Sequence, residues 1–255
     1  MDQTINTQYL HGKNVVVIGG SKGVGRAIVG ATHAQGAQVL AVARKAEPLN
    51  TLAAAFPGVR VLALDASDER APATVFATLL PDILIVCAGA IPHAAPLVEQ
   101  TFEQFSRNWN SEVKMSLLFS QAALTTPLSS GATIILISSG AAIGGSPLSG
   151  GYAGSKRTQM FIAHYAQQEA ERLHLDVHFL ALAPGGMMPE TELGNAAVEA
   201  YASSVGLSTT DFIKRRGSSQ TPEDVANAVV ELASHPRSRE GNVFLISKKG
   251  IEALP

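Results

Sequence analysis

Tyr152 and Lys156 stand at i and i+4 in Gly151-Tyr152-Ala153-Gly154-Ser155-Lys156, so on a helix they share one face and can act on one small molecule. A free tyrosine titrates near pH ~10 and is a poor acid or base at neutrality. An ammonium held close to a phenol favours the phenolate and brings proton exchange toward the working range. Thirteen residues before Tyr152, Ser139 follows Ser138 at the end of the apolar run Thr133-Ile134-Ile135-Leu136-Ile137. That run reads as a buried strand delivering its last residues to a sheet edge. A serine hydroxyl there would hold a substrate oxygen while the tyrosine exchanges a proton with it. Tyr-x-x-x-Lys alone is also an ordinary helix face, so the surrounding elements decide between the two.

Those elements begin with Asn14-Val15-Val16-Val17-Ile18, continuously apolar as parallel strands are. The run enters Gly19-Gly20-Ser21-Lys22-Gly23-Val24-Gly25, and helical spacing resumes at Arg26-Ala27-Ile28-Val29. Glycines let the backbone approach a pyrophosphate, and a helix N-terminus offers free N–H groups and the positive end of its dipole. The second strand, Gln38-Val39-Leu40-Ala41-Val42, runs out into Ala43-Arg44-Lys45. A site for NAD would place Asp or Glu at that end to hold the adenosine ribose. An arginine suits a ribose 2′-phosphate instead, and Lys22 adds a second positive charge, so NADP(H) is expected over NAD(H). The alternative is that Lys22 and Arg44 are ordinary solvated cations.

A third strand, Val59 to Leu64, ends in Asp65-Ala66, with Ser67-Asp68 placed to cap the next helix. The fourth, Asp82 to Cys87, closes with Ala88-Gly89-Ala90, whose small side chains leave room for a ligand. A long helical region is expected from about Thr101 to Leu124, broken by Pro127. Asp176 to Leu182 reads as strand six, stopped by Pro184-Gly185, and Asn242 to Ile246 as a last strand. Between them Thr221-Pro222 opens a helix, with threonine as N-cap and proline at the first position. Strands alternating with helices imply an α/β single-domain Rossmann fold over residues 1–255. Its doubly wound parallel sheet would have about seven strands, with helices on both faces. Ligands in such sheets bind beyond the carboxyl ends of the strands. The glycine loop, Arg44, Asp65, Gly89, Ser139 and Pro184-Gly185 all fall at such ends, and that convergence carries the reading.

Hydrophobic residues make up 46% of the 255 and charged residues 16%, enough for a sizeable core. A net charge of −2 without a basic tail argues against a nucleic-acid partner. The single cysteine, Cys87, inside an apolar run, fits a reducing compartment. No apolar run reaches the ~20 residues needed to span a bilayer. Met1-Asp2-Gln3-Thr4 lacks the basic start and apolar core of a signal peptide. The expectation is a soluble cytoplasmic protein with neither nucleic-acid nor membrane partner.

With these features in this order, the chain resembles the short-chain dehydrogenase/reductases, in their short single-domain branch, over almost its whole length. Gly19, Gly23 and Gly25 fall on that branch's T-G-x-x-x-G-x-G pattern, with Ile18 in place of the threonine. Ala88 and Gly89 match the end of N-N-A-G, with Val86 and Cys87 replacing the asparagines. Ser139, Tyr152 and Lys156 match the catalytic trio at the expected spacing. The family's fourth member, an asparagine, falls on Glu112; Asn110 lies two residues away, on another side of a regular helix. Pro184-Gly185 matches the family's P-G, yet the usual threonine four residues past the glycine is Pro189, with Thr191 a little further on.

The resemblance implies hydride transfer between a nicotinamide C4 and a carbonyl or alcohol carbon. Lys156 would hold the nicotinamide ribose hydroxyls and lower the tyrosine's pKa, Tyr152 would pass the proton, and Ser139 would steady the substrate oxygen. Cofactor contacts would come from Gly19, Ser21, Lys22, Gly23, Val24 and Gly25, from Arg44, Asp65 and Ala66, and from Ala88, Gly89, Tyr152, Lys156, Pro184 and Gly185. No metal is implied. A homodimer or homotetramer is, and apolar residues on more than one helix face (Trp109, Phe161, Ile162, Tyr165) point the same way. The segment 186–217, with Met187-Met188, Tyr201 and Phe212, is either an adaptable lid that selects the substrate or a helix pair packing on the sheet. His93 either lines the site or is a plain loop residue. Glu112 either faces the site, holding a water and adding negative charge near Lys156, or is turned to solvent by a helix bulge that brings Asn110 inward. A non-catalytic NADP(H)-binding regulator is the competing class, kept open by the altered asparagines and opposed by the intact trio. An epimerase or dehydratase of the related extended family would favour a tighter glycine spacing and a longer C-terminal region.

Overall fold

The computed structural model describes residues 9–217, 220–236 and 240–255, so the N-terminal start read above lies outside the described residues. The apolar runs form β1 (Asn14–Ile18), β2 (Gln38–Ala43), β3 (Arg60–Ala63), β4 (Ile83–Val86), β5 (Ala132–Ile137), β6 (Val177–Pro184) and β7 (Val243–Ser247). They pair in parallel in the order β3-β2-β1-β4-β5-β6-β7, with Val17 beside Ala41 on one side and Ile85 on the other. The order reverses direction at β1, and the crevice this opens at the carboxyl ends is where such sheets take ligands.

Ten helices connect the strands among the described residues. They are α1 (Gly23–Ala34), α2 (Ala46–Ala55), α3 (Ala71–Thr78), α4 (Phe102–Ser106), α5 (Lys114–Thr125), α6 (Ala141–Gly144), α7 (Gly150–Arg172), α8 (Glu192–Ser204), α9 (Thr209–Arg216) and α10 (Pro222–Ser234). Strand side chains alternate between two cores. Val16, Ile18, Leu40 and Leu84 pack with Val75 of α3, Phe119 of α5 and Ala163 of α7. Val15, Val17, Val39 and Ile85 pack on the opposite face with Ile28 of α1, Leu52 of α2 and Val229 of α10. Each fully buried Val, Leu, Ile or Phe contributes roughly 1.5–3 kcal/mol relative to exposure. A sheet covered on both faces needs continuously apolar strands, which is why these read as runs rather than alternations.

Four details differ from the sequence reading. Where about seven strands are expected, the described residues form eight: β8 (Gly250–Ala253) lies antiparallel along β7, reached by a tight turn in which Gly250 has φ +101°. The β8 sequence Gly-Ile-Glu-Ala is too short and mixed to announce itself, and only the left-handed glycine marks the turn. Strand six does not stop before Pro184; β6 runs through it, because a proline at a strand's last residue forfeits only its own N–H while its carbonyl accepts from Gly140 N at 2.7 Å. Ser67 and Asp68 do not cap α3, whose N-cap is Arg70. Their side chains and backbone close turns instead, Ser67 N and Oγ donating to Asp65 and Arg70 N donating to Asp68. The long helix from Thr101 is interrupted: α4, capped reciprocally by Thr101 and Gln104, is followed by a π-type turn over Trp109–Val113 before α5 begins. The expected Thr221–Pro222 start of α10 is present, with Asp224 completing a capping box. No helix among the described residues is long and apolar enough to cross a membrane.

Candidate active site

A groove of about 1020 Å³ runs along the carboxyl ends of the strands, and every residue singled out above as catalytic or cofactor-binding lines it. At its start the chain leaves β1 through Gly19 at φ +89°, a conformation glycine adopts freely. A Cβ on Gly19 would lie 2.5 Å from Ala88 N, and one on Gly25 would lie 2.1 Å from Gly19 O, so the loop folds against itself and the end of β4 with no room for side chains. The Gly19 and Gly20 amides donate to Val42 O at 2.7 and 3.2 Å, tying the loop to β2. The N-cap of α1 is Lys22, whose side chain makes no cap, so the first amides of α1 are left for a ligand at the groove edge.

Around the β2 and β3 ends, Arg44 is exposed on the groove rim, and no acid stands at the end of β2. Asp65 accepts from Ser67 Oγ at 2.7 Å and Ser67 N at 2.9 Å. Those bonds, helped by the Arg44 charge, hold its carboxyl below the usual carboxylate range. Lys22 does not face solvent alone. Its Nζ donates to Glu192 Oε1 at 2.5 Å, joining the glycine loop to the first residue of α8. That bond raises the Lys22 pKa and lowers that of Glu192, so the pair is intact at neutrality and loosens as pH falls through the depressed Glu192 value. Thr191 packs beside it, its Cγ2 3.4 Å from where a Gly23 Cβ would sit, and its hydroxyl accepts from Gly194 N to cap α8.

The trio converges at the far end of the groove. β5 ends at Ile137, and Ser138 Oγ donates to Lys156 O at 2.7 Å, fixing α7 on the strand end. Lys156 is 5% exposed; its Nζ donates to Ile137 O at 2.9 Å and lies 5.7 Å from the centre of the Tyr152 ring. Ser139 Oγ accepts from Ala141 N at 3.2 Å, which leaves its own proton free to be donated. α7 approaches so closely because Gly151 has no side chain: a Cβ there would meet Phe105 O at 2.0 Å. Burial pushes the Cys87 thiol up to about 11 against the pull of Lys156, so the thiol is neutral and is no candidate nucleophile.

Glu112 keeps the groove-facing position of the first alternative together with the helix bulge of the second. The helix is bulged, yet Glu112 is 1% exposed and lines the groove, while Asn110 stands in solvent. His93 is not among the lining residues. Segment 186–217 carries a small core of its own, Val198, Ala202 and Phe212, with Tyr201 stacked on Phe212 at 6.5 Å. Met187, Met188, Leu193 and Tyr201 face the groove, whereas Phe212 lines an adjoining cavity of about 940 Å³ that shares Met187 with it. Sequence reasoning missed a cluster of hydroxyl contacts lining the same groove as Tyr152. Ser146 Oγ lies 2.6 Å from Ser149 Oγ and hydrogen-bonds Tyr201 OH, linking the loop before α7 to α8. No local pattern marks the Ser146 contact with Tyr201, because that partner lies 55 residues away.

The family model described as short chain dehydrogenase matches residues 13–202, three quarters of the chain and every element from β1 to α7. This chain belongs to the short-chain dehydrogenases. Family relatives include L-xylulose reductase of Homo sapiens, 34% identical over 113 residues, covering 44% of this chain and 46% of that protein. A short chain dehydrogenase of Pseudocercospora fijiensis is 32% identical over 246 residues, covering 90% of this chain and 78% of its own length. Carbonyl reductase [NADPH] 2 of Sus scrofa is 32% identical over 110 residues, covering 43% and 45%. The match spans about half the length of the L-xylulose reductase it resembles.

Proposed function

We propose that the protein is an NADP(H)-dependent oxidoreductase that moves a hydride between nicotinamide and the carbon of a small carbonyl or alcohol substrate. The observation that carries this reading is Lys156 Nζ set 5.7 Å from the Tyr152 ring centre, with Ser139 at the same end of a groove whose other end is a glycine loop opening α1. The residues present fit a dinucleotide: Gly19 and Gly25 have no room for a Cβ, which keeps the loop tight, and the uncapped first turn of α1 suits a pyrophosphate. When bound, the cofactor supplies the hydride chemistry. Tyr152 gives or takes the proton at the substrate oxygen, Ser139 Oγ donates to that oxygen, and Lys156 sets its ammonium beside the tyrosine ring and holds the ribose hydroxyls. Small carbonyl substrates agree with the names of the L-xylulose and carbonyl reductases above. The test is cofactor consumption by purified protein over a carbonyl and alcohol panel; tight NADPH binding without turnover on any member would favour a binding protein instead.

The NADP(H) preference rests on Arg44, on Lys22 and on the missing acid at the end of β2, and one reductase relative carries NADPH in its name. Charge-assisted contacts to a phosphate contribute roughly 1.5–3 kcal/mol each, enough for a preference of tenfold or more. Because Lys22 already has Glu192 as a partner, Arg44 is assigned the larger share. Arg44→Asp is expected to flatten or reverse the preference, measured as the ratio of NADPH and NADH dissociation constants. Equal binding of the two by wild type would refute it.

A symmetric oligomer belongs to the same reading. Phe161 and Tyr165, stacked at 6.0 Å, are 64% and 61% exposed on α7, and Leu117 on α5 and Trp109 beside it are also exposed. Such a patch is expected to be covered by a second copy. Light scattering at micromolar concentration should give a dimer or tetramer, and a monomer would contradict it.

A further inference from the structure

Just past the end of β4, Ala90 has both of its backbone groups held by side chains from the other side of the groove wall. Asn108 Nδ2 donates to Ala90 O at 2.8 Å, and Ala90 N donates to Glu112 Oε1 at 3.2 Å. The two side chains are themselves joined, Asn108 Nδ2 donating to Glu112 Oε1 at 2.9 Å, and Ser111 Oγ donates to Glu112 Oε2. Asn108 and Glu112 are each 1% exposed, and the carboxylate makes no ion pair among the described residues. Three donors thus converge on a group that only accepts, which is the chemistry a carboxylate offers and a hydroxyl does not. The fit is close: a Cβ on Gly89 would lie 2.6 Å from Glu112 Oε1.

Beyond the last ladder bond of a strand, a buried N–H and C=O must find other partners. At Ala90 the pair Asn108–Glu112 takes the place of a neighbouring strand. The four-residue spacing puts both side chains on one side of the helix, where a single peptide is within reach of each. With both polar groups of Ala90 drawn toward the helix, the wall presented to the groove by residues 89–92 is Gly-Ala-Ile-Pro, its Ala90 amide already engaged. That wall joins the glycine loop, through Ala88, to the stretch facing Lys156.

We propose that Asn108 and Glu112 are positioning residues: they clamp the Ala90 peptide and so fix the wall of the groove against which a bound nicotinamide dinucleotide is held. The identity of that ligand rests on the oxidoreductase reading; the clamp itself does not. Displacement of a binding wall by about 1 Å is enough to cost a large factor in a positioned reaction.

Two measurements on the same variants test this: hydrogen exchange at the Ala90 amide, and the NADPH dissociation constant by calorimetry. Glu112→Ala and Asn108→Ala are each expected to weaken NADPH binding by about tenfold or more. Their double variant should lose little beyond the worse single one, because the two act as one unit. Exchange at Ala90 should speed by roughly a hundredfold in Glu112→Ala while the β1 and β5 amides stay protected. Glu112→Gln keeps an acceptor for Ala90 N and gives Ser111 a donor to accept from, so it should restore slow exchange and stay within about threefold of wild-type affinity. Unchanged exchange in Glu112→Ala would remove the clamp. Fast exchange with wild-type affinity would remove its role in the site. A loss in Glu112→Gln as large as in Glu112→Ala would make the charge, not the grip, the relevant property and overturn the assignment. Should Glu112→Ala not fold, Asn108→Ala decides, wild-type affinity there being the refuting result. If wild type binds neither NADPH nor NADH, the oxidoreductase reading fails, while exchange at Ala90 still decides the clamp.

Discussion

Tyr152→Phe is expected to lower turnover by at least ~10²-fold while NADPH binding stays within a few-fold of wild type. The substitution keeps the ring whose centre lies 5.7 Å from Lys156 Nζ and removes only the hydroxyl. Tyr152 is half-buried with its backbone in the first turn of α7, and phenylalanine fits the same space, so folding should be little affected. The groups to which cofactor binding is assigned in the proposal, the glycine loop, Arg44 and Lys156, are left in place. A loss confined to kcat therefore reads directly as loss of proton transfer. Steady-state kinetics beside a binding titration gives the answer. Near-normal turnover in Tyr152→Phe would assign the proton to another group, and Ser139 is the hydroxyl to examine next.

Lys156→Met should behave differently, because that side chain is assigned two tasks and also holds structure. Turnover is expected to fall by ~10²-fold or more and NADPH affinity by about tenfold. Methionine fills most of the space of the buried stem and avoids the cavity that alanine would leave. It cannot replace the bond from Nζ to Ile137 O at 2.9 Å, and a buried acceptor left unpaired costs about 1–3 kcal/mol. A fall in thermal midpoint should therefore accompany the kinetic loss. The two variants make a diagnostic pair: Tyr152→Phe separates turnover from binding, and Lys156→Met lowers both. Wild-type NADPH affinity in Lys156→Met would withdraw the lysine from the cofactor and leave it only its place beside the tyrosine.

Some of this was determined by the sequence alone. The strand runs, the glycine turn into α1, the Tyr152–Lys156 spacing and the Thr221–Pro222 helix start are all local, and backbone geometry makes their periods legible. Because parallel strands must all point one way, their carboxyl ends had to lie on one edge. The residues at those ends were thereby brought to one groove before any pairing was known. Tertiary structure alone decided what depends on partners far along the chain. Lys22 is engaged by Glu192, 170 residues on, so the free cation that its neighbours in sequence imply is not what the groove offers. Glu112 turns inward although its helix is bulged, because Ala90, Asn108 and Ser111 supply three donors that solvent-facing Asn110 has no counterpart for. β8 exists because the edge of β7 had open hydrogen-bonding groups and Gly250 let the chain turn back onto them. A period of 2 or 3.6 residues is written in neighbouring side chains; a hydrogen bond between residues far apart is written only in how the two cores bring the helices onto the sheet.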